Sequence, residues 1–442
     1  MSFDHRLRAT ALGAVLFLGT AGAAPAPLPD LGPSVAVTQL PSGSVAIVRP
    51  AAGAPVAAVE LWFRAPSTGF GTPQPSVAWV SAQAVAASKP LAGMPLGGYI
   101  RSLGGRLDVT AYSDSVNVTA IVPSIHAADV VKALTTAYFS PILTADGFQT
   151  AVREIRQQAI FTSFDVETVV RDAVFAQLFT SGPQHYPALG DPESLRRLTE
   201  GDARSFATRA FRAQNAFLVS SGDVEPAVVA SASGGRGDGS PHREAAAADA
   251  LAAAPAPFVG SFVEPSGGLG WAGPAIASER EATAMDFLAD YMFRPETGVV
   301  WKQAIASDPQ ALLVGQFVTL HDPGVLFVAY SSRHTAPIAS LVRDGIAAMR
   351  KPLARAAFDA ARGAFEYHLL SDLQTPVAKA DNLGWYAVEG APAYAPGVEG
   401  VRNSYFDAAA SLTPDFVASI AAKYLGKPPV VVTLEPSSKA PR

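Results

Sequence analysis

The sequence predicts an α+β fold of two related domains, each a mixed or antiparallel sheet covered by helices. Three observations carry this. The 442 residues, 49% hydrophobic and 16% charged, suffice for two sizeable cores. Runs with β character are followed by Ala-rich segments of helical pattern, and this order occurs twice. Between Val229 and Pro257 the composition shifts to Ala, Gly, Ser and Pro, which bury little and read as a linker. The expected organisation is a leader at 1–24, a first domain at 31–228, the linker at 229–257 and a second domain at 258–437.

The first domain opens with two β-rich runs, Val35 to Leu40 and Val45 to Arg49. Pro41-Ser42-Gly43 between them suits a tight turn, so the pair is a hairpin. A third strand covers Pro55 to Arg64, and Ser76 to Ser88, free of Gly and Pro, is a helix. After Leu103-Gly104-Gly105, the alternating runs Arg106 to Ser113 and Ser115 to Pro123 make a second hairpin. Helices follow at about Ala127 to Ser140 and Gly147 to Phe164. The second domain is expected to repeat the plan with a strand near Phe258 to Val263 and a helix from about Ser278 to Met292, opened by a capping box of Ser278 and Glu281. Strands near Ala311 to Leu320 and Val325 to Ser331, helices around Ala336 to Arg350 and Leu353 to Asp372, and a strand from Val430 to Leu434 complete it.

Arg6 and Arg8 precede an uncharged run from Ala9 to Ala24 that ends in small residues, the layout of a cleaved secretory signal. The run is shorter than the roughly 20 apolar residues that span a bilayer, and Pro25 and Pro27 stop a helix from extending it. The expectation is an exported chain, periplasmic or extracellular, with no membrane span after cleavage. A net charge of −5 without a basic run argues against nucleic acid. With no cysteine there is no disulfide, thiolate metal site or cysteine nucleophile. No Gly-x-Ser-x-Gly elbow is present, and Gly97-Gly98 and Gly104-Gly105 lack the Lys and helix of a phosphate-binding loop. Arg236-Gly237-Asp238 matches an adhesion tripeptide, which three common residues in a linker produce by chance.

Several motifs, in order, resemble those of the pitrilysin/insulinase zinc metallopeptidase family, which includes the mitochondrial processing peptidase and the core subunits of the respiratory cytochrome bc complex. Gln39-Leu40-Pro41-Ser42-Gly43 and the run from Ala54 to Ala65 resemble its opening hairpin and third strand. Leu103-Gly104-Gly105-Arg106-Leu107-Asp108-Val109-Thr110 resembles its Leu-Gly-Gly lead into a strand. Arg153-Glu154-Ile155-Arg156-Gln157 is similar to the helix bearing its last zinc ligand. Leu383-Gly384-Trp385-Tyr386, Leu412-Thr413-Pro414 and Lys423-Tyr424-Leu425 resemble its C-terminal end.

The resemblance implies a His-x-x-Glu-His helix at Ser76 to Ser88. Two imidazoles one helical turn apart hold zinc there, and the Glu between them activates water. The corresponding residues here are Trp79, Ala82 and Gln83. An indole has no lone pair for a metal, Ala82 has no base, and an amide is a poor zinc ligand. Glu154 stands where the third ligand is expected, 71 residues beyond Gln83, and reads as a relic. Gly147 occupies the place of the family's supporting acid. Among His5, His126, His185, His242, His321, His334 and His368, no two share a ligand spacing on one element. His126, His185 and His321 read as solvated loop residues, while Glu366 and His368 point to different helix faces.

In this family an extended peptide pairs with an edge strand of the first domain, here matched by Leu107, Asp108, Val109 and Thr110. Paired bacterial members contribute an Arg and a Tyr from the second domain. The matching stretch, Pro295 to Leu320, has neither, with Val299 where the Arg falls and Lys302 beside Trp301 as a partial substitute. The function expected is a non-catalytic subunit that completes the peptide-binding chamber of a heterodimeric zinc peptidase, with zinc only in the partner. The alternative is a standalone envelope scaffold or peptide-binding protein, and a third reading is a peptidase with an altered site.

Overall fold

The first half of the chain lays down β1 (Ala36–Gln39), β2 (Val45–Pro50), β3 (Val56–Arg64), β4 (Arg106–Ala111), β5 (Ser115–Pro123), β6 (Phe179–Ser181) and β7 (Ala216–Gly222). Its helices are α1 (Val77–Ala87), α2 (Leu96–Ser102), α3 (Ala127–Phe139), α4 (Ala145–Thr162), α5 (Val166–Leu178), α6 (Pro192–Arg197), α7 (Glu200–Ala210) and α8 (Pro226–Ala232). The structure, a computed structural model, describes residues 35–67, 74–89, 93–234, 248–394 and 404–437. The expected signal at 1–24 lies outside these residues, as do the middle of the expected linker and its Arg236-Gly237-Asp238.

Six strands form one sheet in the order β1-β2-β7-β3-β5-β4, antiparallel except for β2 with β7. β3 lies at its centre and reads Val-Ala-Ala-Val-Glu-Leu-Trp-Phe-Arg, nearly all apolar, because both of its faces are covered. On one face of the sheet α3 packs on β3 and α1 packs on β4 and β5, and the residues of α1 are buried nearly all round, as befits a helix enclosed by others. The Tyr138 hydroxyl donates to the Ala82 carbonyl at 2.9 Å, and Ser81 donates to the Ala203 carbonyl at 3.1 Å, tying α1 to α3 and α7.

The second half supplies β8 (Ala250–Leu251), which pairs with β6, then β9 (Phe258–Phe262), β10 (Ser266–Ala272), β11 (Leu312–Val318), β12 (Val325–Ser331) and β13 (Val430–Pro436). Its helices are α9 (Glu279–Phe293), α10 (Val299–Ser307), α11 (Thr335–Ala348), α12 (Arg355–Asp372), α13 (Pro376–Glu389), α14 (Ser404–Ala410) and α15 (Pro414–Leu425). The sheet order β11-β12-β10-β13-β9 repeats that of the first sheet without β1. β9, β13, β10, β12 and β11 take the places of β2, β7, β3, β5 and β4, and β9 with β13 is again the parallel pair.

Each sheet's second face is covered by a helix from the other half. α13 packs on β2, β3 and β7, burying Ala380, Leu383 and Ala387 against Ile47, Trp62 and Val219. α5 packs on β10, β12 and β13, burying Val170 and Val174 against Phe327, Ala329 and Val432. Glycines make both seats. A Cβ on Gly268 or Gly270 of β10 would overlap Val170 or Val174, and one on Gly384 of α13 would overlap the Trp62 indole. Val170 and Val174 are fully buried, each a contribution of about 1.5–3 kcal/mol. This exchange makes the described residues one compact unit.

One strand was not expected from the sequence, and two expectations need correction. Ser266–Ala272 is a strand, hidden by three glycines that weaken strand propensity but admit α5. Ser278 forms no side-chain cap; Glu281 instead accepts from Lys423 Nζ at 2.8 Å and the Tyr424 hydroxyl at 2.5 Å, so the capping box does not form. His185 and His321 are not simply solvated, since the Nδ1 of each bonds a backbone carbonyl, of Phe179 at 2.7 Å and of Glu389 at 2.9 Å.

Polar contacts seal the junction between halves. Arg64 Nε donates to the Val388 carbonyl at 2.8 Å across the junction, and beside it the His321 amide of the second half donates to Glu389 Oε2 of the same half at 2.7 Å. Asp249 accepts from the Gln184 amide at 2.9 Å, and burial, with Asp114 adding, pushes its carboxyl up to about 7. Within the second half, Asp286 accepts from the Tyr405 hydroxyl at 2.5 Å, and burial likewise pushes it up to about 7.

Gly384→Ala is expected to destabilise the protein by about 1–3 kcal/mol or more, because the buried Trp62 ring cannot yield. Gly363→Ala, on α12 with open space around it, is expected to be neutral or to stabilise by up to about 1 kcal/mol. Urea midpoints of the two variants compare them directly. Asp286 binds its proton more tightly folded than unfolded, so its contribution is complete below the ordinary carboxylate range and is lost as pH rises through about 7. Asp286→Asn, which can still accept from Tyr405, is therefore expected to gain in melting temperature over wild type as pH rises from about 4 to about 8.

Candidate functional site

Between the halves lies a cavity of about 660 Å³. β4 ends the first sheet and β11 ends the second, and both border this space. Thr110 and Ala111 of β4, with Tyr112 to Asp114 after them, form one wall, and Gln316 to Val318 of β11 form another. The exchanged helices supply much of the rest through Arg171, Asp172 and Phe175 of α5 and Ala378, Asp381 and Trp385 of α13. The cavity therefore exists because each half lends a helix to the other.

Aromatic rings form its deepest part. Trp62 stacks on Tyr112 with centroids 5.9 Å apart, and Tyr112 meets Trp385 edge-on at 4.8 Å. The Trp385 indole donates to the Thr319 carbonyl at 2.8 Å, fixing its orientation. Burial, then the charges of Asp381 and Glu60, push the Tyr112 phenol up to about 12, so it stays a neutral donor at any physiological pH. Arg171 bonds Asp172 at 2.9 Å, and burial raises the carboxyls of Asp114, Asp172 and Asp381 above their ordinary values.

The strand singled out in the sequence divides along its length. Leu107 and Val109 turn to the first core, Asp108 is exposed beside Arg106 at 3.0 Å, and Thr110 alone of the four borders the cavity. Trp79 on α1 also borders it, whereas Ala82 is fully buried and Gln83 half-buried on the same helix. Glu154 is exposed on α4, which packs against α1, and partial burial raises its carboxyl. Val299 and Trp301 pack into the second core and Lys302 is exposed; none of the three borders the cavity.

These residues do not fit a zinc ion. Indole, methyl and carboxamide on α1 offer no imidazole or carboxylate. At Gly147, a side chain would overlap the Ser88 hydroxyl and the Ala84 carbonyl, because α4 begins in direct contact with the end of α1. The place where the resemblance puts a supporting acid is thus filled by the Ser88 side chain and the Ala84 carbonyl. Among the described residues, no three His, Asp or Glu side chains converge as a metal site, and no histidine borders the cavity. Ser113 donates to the Tyr186 carbonyl at 3.1 Å and has no base beside it. What the walls offer is two strand edges, aromatic surface and a few charges.

Asp381, Trp385, Tyr112, Arg171 and Phe317 carry much of this surface and were not assigned a role from sequence. Signals for the exchanged helices exist: Asp165 caps α5 by accepting from the Thr168 amide, and Thr375 with Pro376 opens α13 with a capping hydroxyl and Pro in the first turn. No helix among the described residues is long and apolar enough to cross a membrane.

Comparison with known proteins places the architecture. No family model matches the sequence, and no curated protein matches it. Among solved structures, the chain superposes on a protease from Helicobacter pylori with a TM-score of 0.79 at 16% identity, covering 91% of this chain and 100% of that one. A putative M16-like peptidase from Alicyclobacillus acidocaldarius gives 0.74 at 16% identity, with 91% and 98% covered. A peptidase M16 inactive domain from Pseudomonas fluorescens gives 0.73 at 16% identity, with 92% and 99% covered. The chain has the fold of M16-type peptidases over nearly the whole of its described length.

Proposed function

We propose that this chain is an exported, non-catalytic homologue of M16-type peptidases that closes the peptide-holding chamber of a zinc-bearing partner. The observation that carries the reading is a cavity bordered by two strand edges, beside a helix whose Trp79, Ala82 and Gln83 cannot hold a metal. An extended substrate adds to β4 through main-chain hydrogen bonds, with Thr110 nearest the cavity and Leu107, Asp108 and Val109 leading to it. Zinc and the cleavage step belong to the partner subunit. The partner's seat is supported by the end of α4, where Ile160, Phe161 and Phe164 are 55%, 68% and 49% exposed around the cavity-lining Thr162. Such a run of apolar side chains on the surface marks an interaction site.

The exchange of α5 and α13 favours a second reading. Both cores are closed within one chain, so the protein does not need a partner to fold and can act alone as an envelope scaffold or peptide-binding protein. Co-expression with a homologue bearing His-x-x-Glu-His separates the two. A stable complex with chelator-sensitive peptidase activity supports the first, and a monomer indifferent to that homologue supports the second.

The purified chain, dialysed against zinc and then buffer, is expected to retain no stoichiometric metal. One zinc per chain held by first-half side chains would overturn the reading. Thr110→Trp, which fills the cavity from an edge strand, is expected to weaken binding of a labelled unfolded peptide at least tenfold with little change in melting temperature. Unchanged affinity, measured by fluorescence anisotropy, would remove the cavity from the binding surface.

A further inference from the structure

Glu60 sits at the centre of the first sheet, opposite Thr119 of β5 and Val219 of β7, with 0% of its surface exposed. Its Oε2 accepts from the Trp62 indole at 2.7 Å, while Oε1 has no donor. Facing it across the seat of α13, within hydrogen-bonding reach, is Asp381. Asp381 Oδ1 accepts from Asn117 Nδ2 at 3.2 Å, and Asn117 Oδ1 accepts in turn from the Thr119 hydroxyl at 2.9 Å. Two carboxylates, both pure acceptors when ionised, therefore meet where a buried oxygen lacks a donor.

The surroundings do not supply a cation. Asp108 of β4 adds further negative charge on Asp381, and Tyr112 presents a neutral phenol. Arg171 of α5 is bound to Asp172, and Lys379 of α13 lies instead beside Arg49 of β2. β5 contributes Thr119 and Asn117, whose amide lowers Glu60 by less than burial and Asp381 raise it, and β7 contributes Val219 opposite Glu60. A proton satisfies the geometry: held by one acid, it is donated to the other and occupies the orphaned oxygen.

We propose that Glu60 and Asp381 hold one proton between them, and that this proton is a latch that keeps α13 seated on the first sheet as a wall of the cavity. Without it, the fully buried Glu60 carries a charge that faces a second carboxylate, and the separation of α13 from β3 lets water reach it. Burial, then the charge of Asp381, raises the Glu60 carboxyl well above its ordinary value, and burial raises Asp381 too. The seated form thus binds the proton more tightly than the lifted form. Its stabilisation is complete at low pH and is lost as pH rises through the raised value of the pair. Asp381 borders the cavity but Glu60 does not, so the pair is placed to hold a helix, not to activate a water for bond cleavage. The latch acts on the wall itself and holds whatever the cavity binds.

Hydrogen exchange of the α13 amides, corrected for intrinsic rates and referenced to α7, tests this on the full-length mature chain. Between about pH 6 and about pH 9, wild-type protection over 376–389 is expected to fall at least tenfold while α7 stays constant. Glu60→Gln, whose amide donates to Asp381 and whose carbonyl accepts from Trp62, is expected to hold α13 protection constant over the same interval. Asp381→Ala, at the half-exposed cavity wall, is expected to lower it at every pH. The infrared carbonyl band of protonated carboxyls at neutral pH is expected to lose intensity in Glu60→Gln. The proposal is overturned by a flat wild-type profile, by an equally steep fall in Glu60→Gln, by wild-type protection in Asp381→Ala near pH 6, or by an unchanged band.

Discussion

Val170 and Val174 of α5 lie against Gly268 and Gly270, and Gly384 of α13 lies against the indole of Trp62. Everything else in the architecture depends on these two close approaches. Each sheet has one face covered by its own helices and one that would stand bare, and a bare apolar face in water is costly. A helix lent by the opposite half covers it in each case. The loan runs both ways, so the halves cannot part without exposing two cores at once. The cavity is what remains between two sheets whose edges β4 and β11 face a common space across the lent helices.

Much of the first half was legible in the sequence because its strands alternate or run apolar and its turns carry Pro and Gly. β5 and the Pro41-Ser42-Gly43 turn lie where they were expected, and the other early strands and α1, α3 and α4 are placed to within about two residues. The second half was less so. β10 reads Ser-Gly-Gly-Leu-Gly-Trp-Ala, and strand propensity penalises the very glycines that a helix-bearing seat requires. α5 and α13 escaped notice because a helix packed on a foreign sheet is explained by residues far away in sequence. Asp286 accepting from Tyr405 and Glu281 taken by Lys423 and Tyr424 show the same limit, since both pairings span more than a hundred residues.

The candidate site was half legible. Trp79 and Thr110 border the cavity, and the inability of the α1 side chains to ligate a metal follows from their chemistry alone. What the sequence could not show is how thoroughly the position expected for a metal is closed. Ala82 is in the core beneath the Tyr138 hydroxyl, and Gly147 brings α4 onto α1 so tightly that no acidic side chain fits. Glu60 and Asp381 were invisible as a pair, being 321 residues apart and joined only by the seating of α13.

The lent helices also fix an order of events during synthesis. α5 emerges early with Val166, Val170, Val174 and Phe175 along one side, yet the floor it needs includes β13, far along the chain. Until β13 has been made, that greasy stripe lacks part of its floor, whereas α13 emerges to find its platform of β2, β3 and β7 already made. A chain wired this way closes its second core only after β13 has been made, and an apolar stripe left uncovered until then is prone to aggregate.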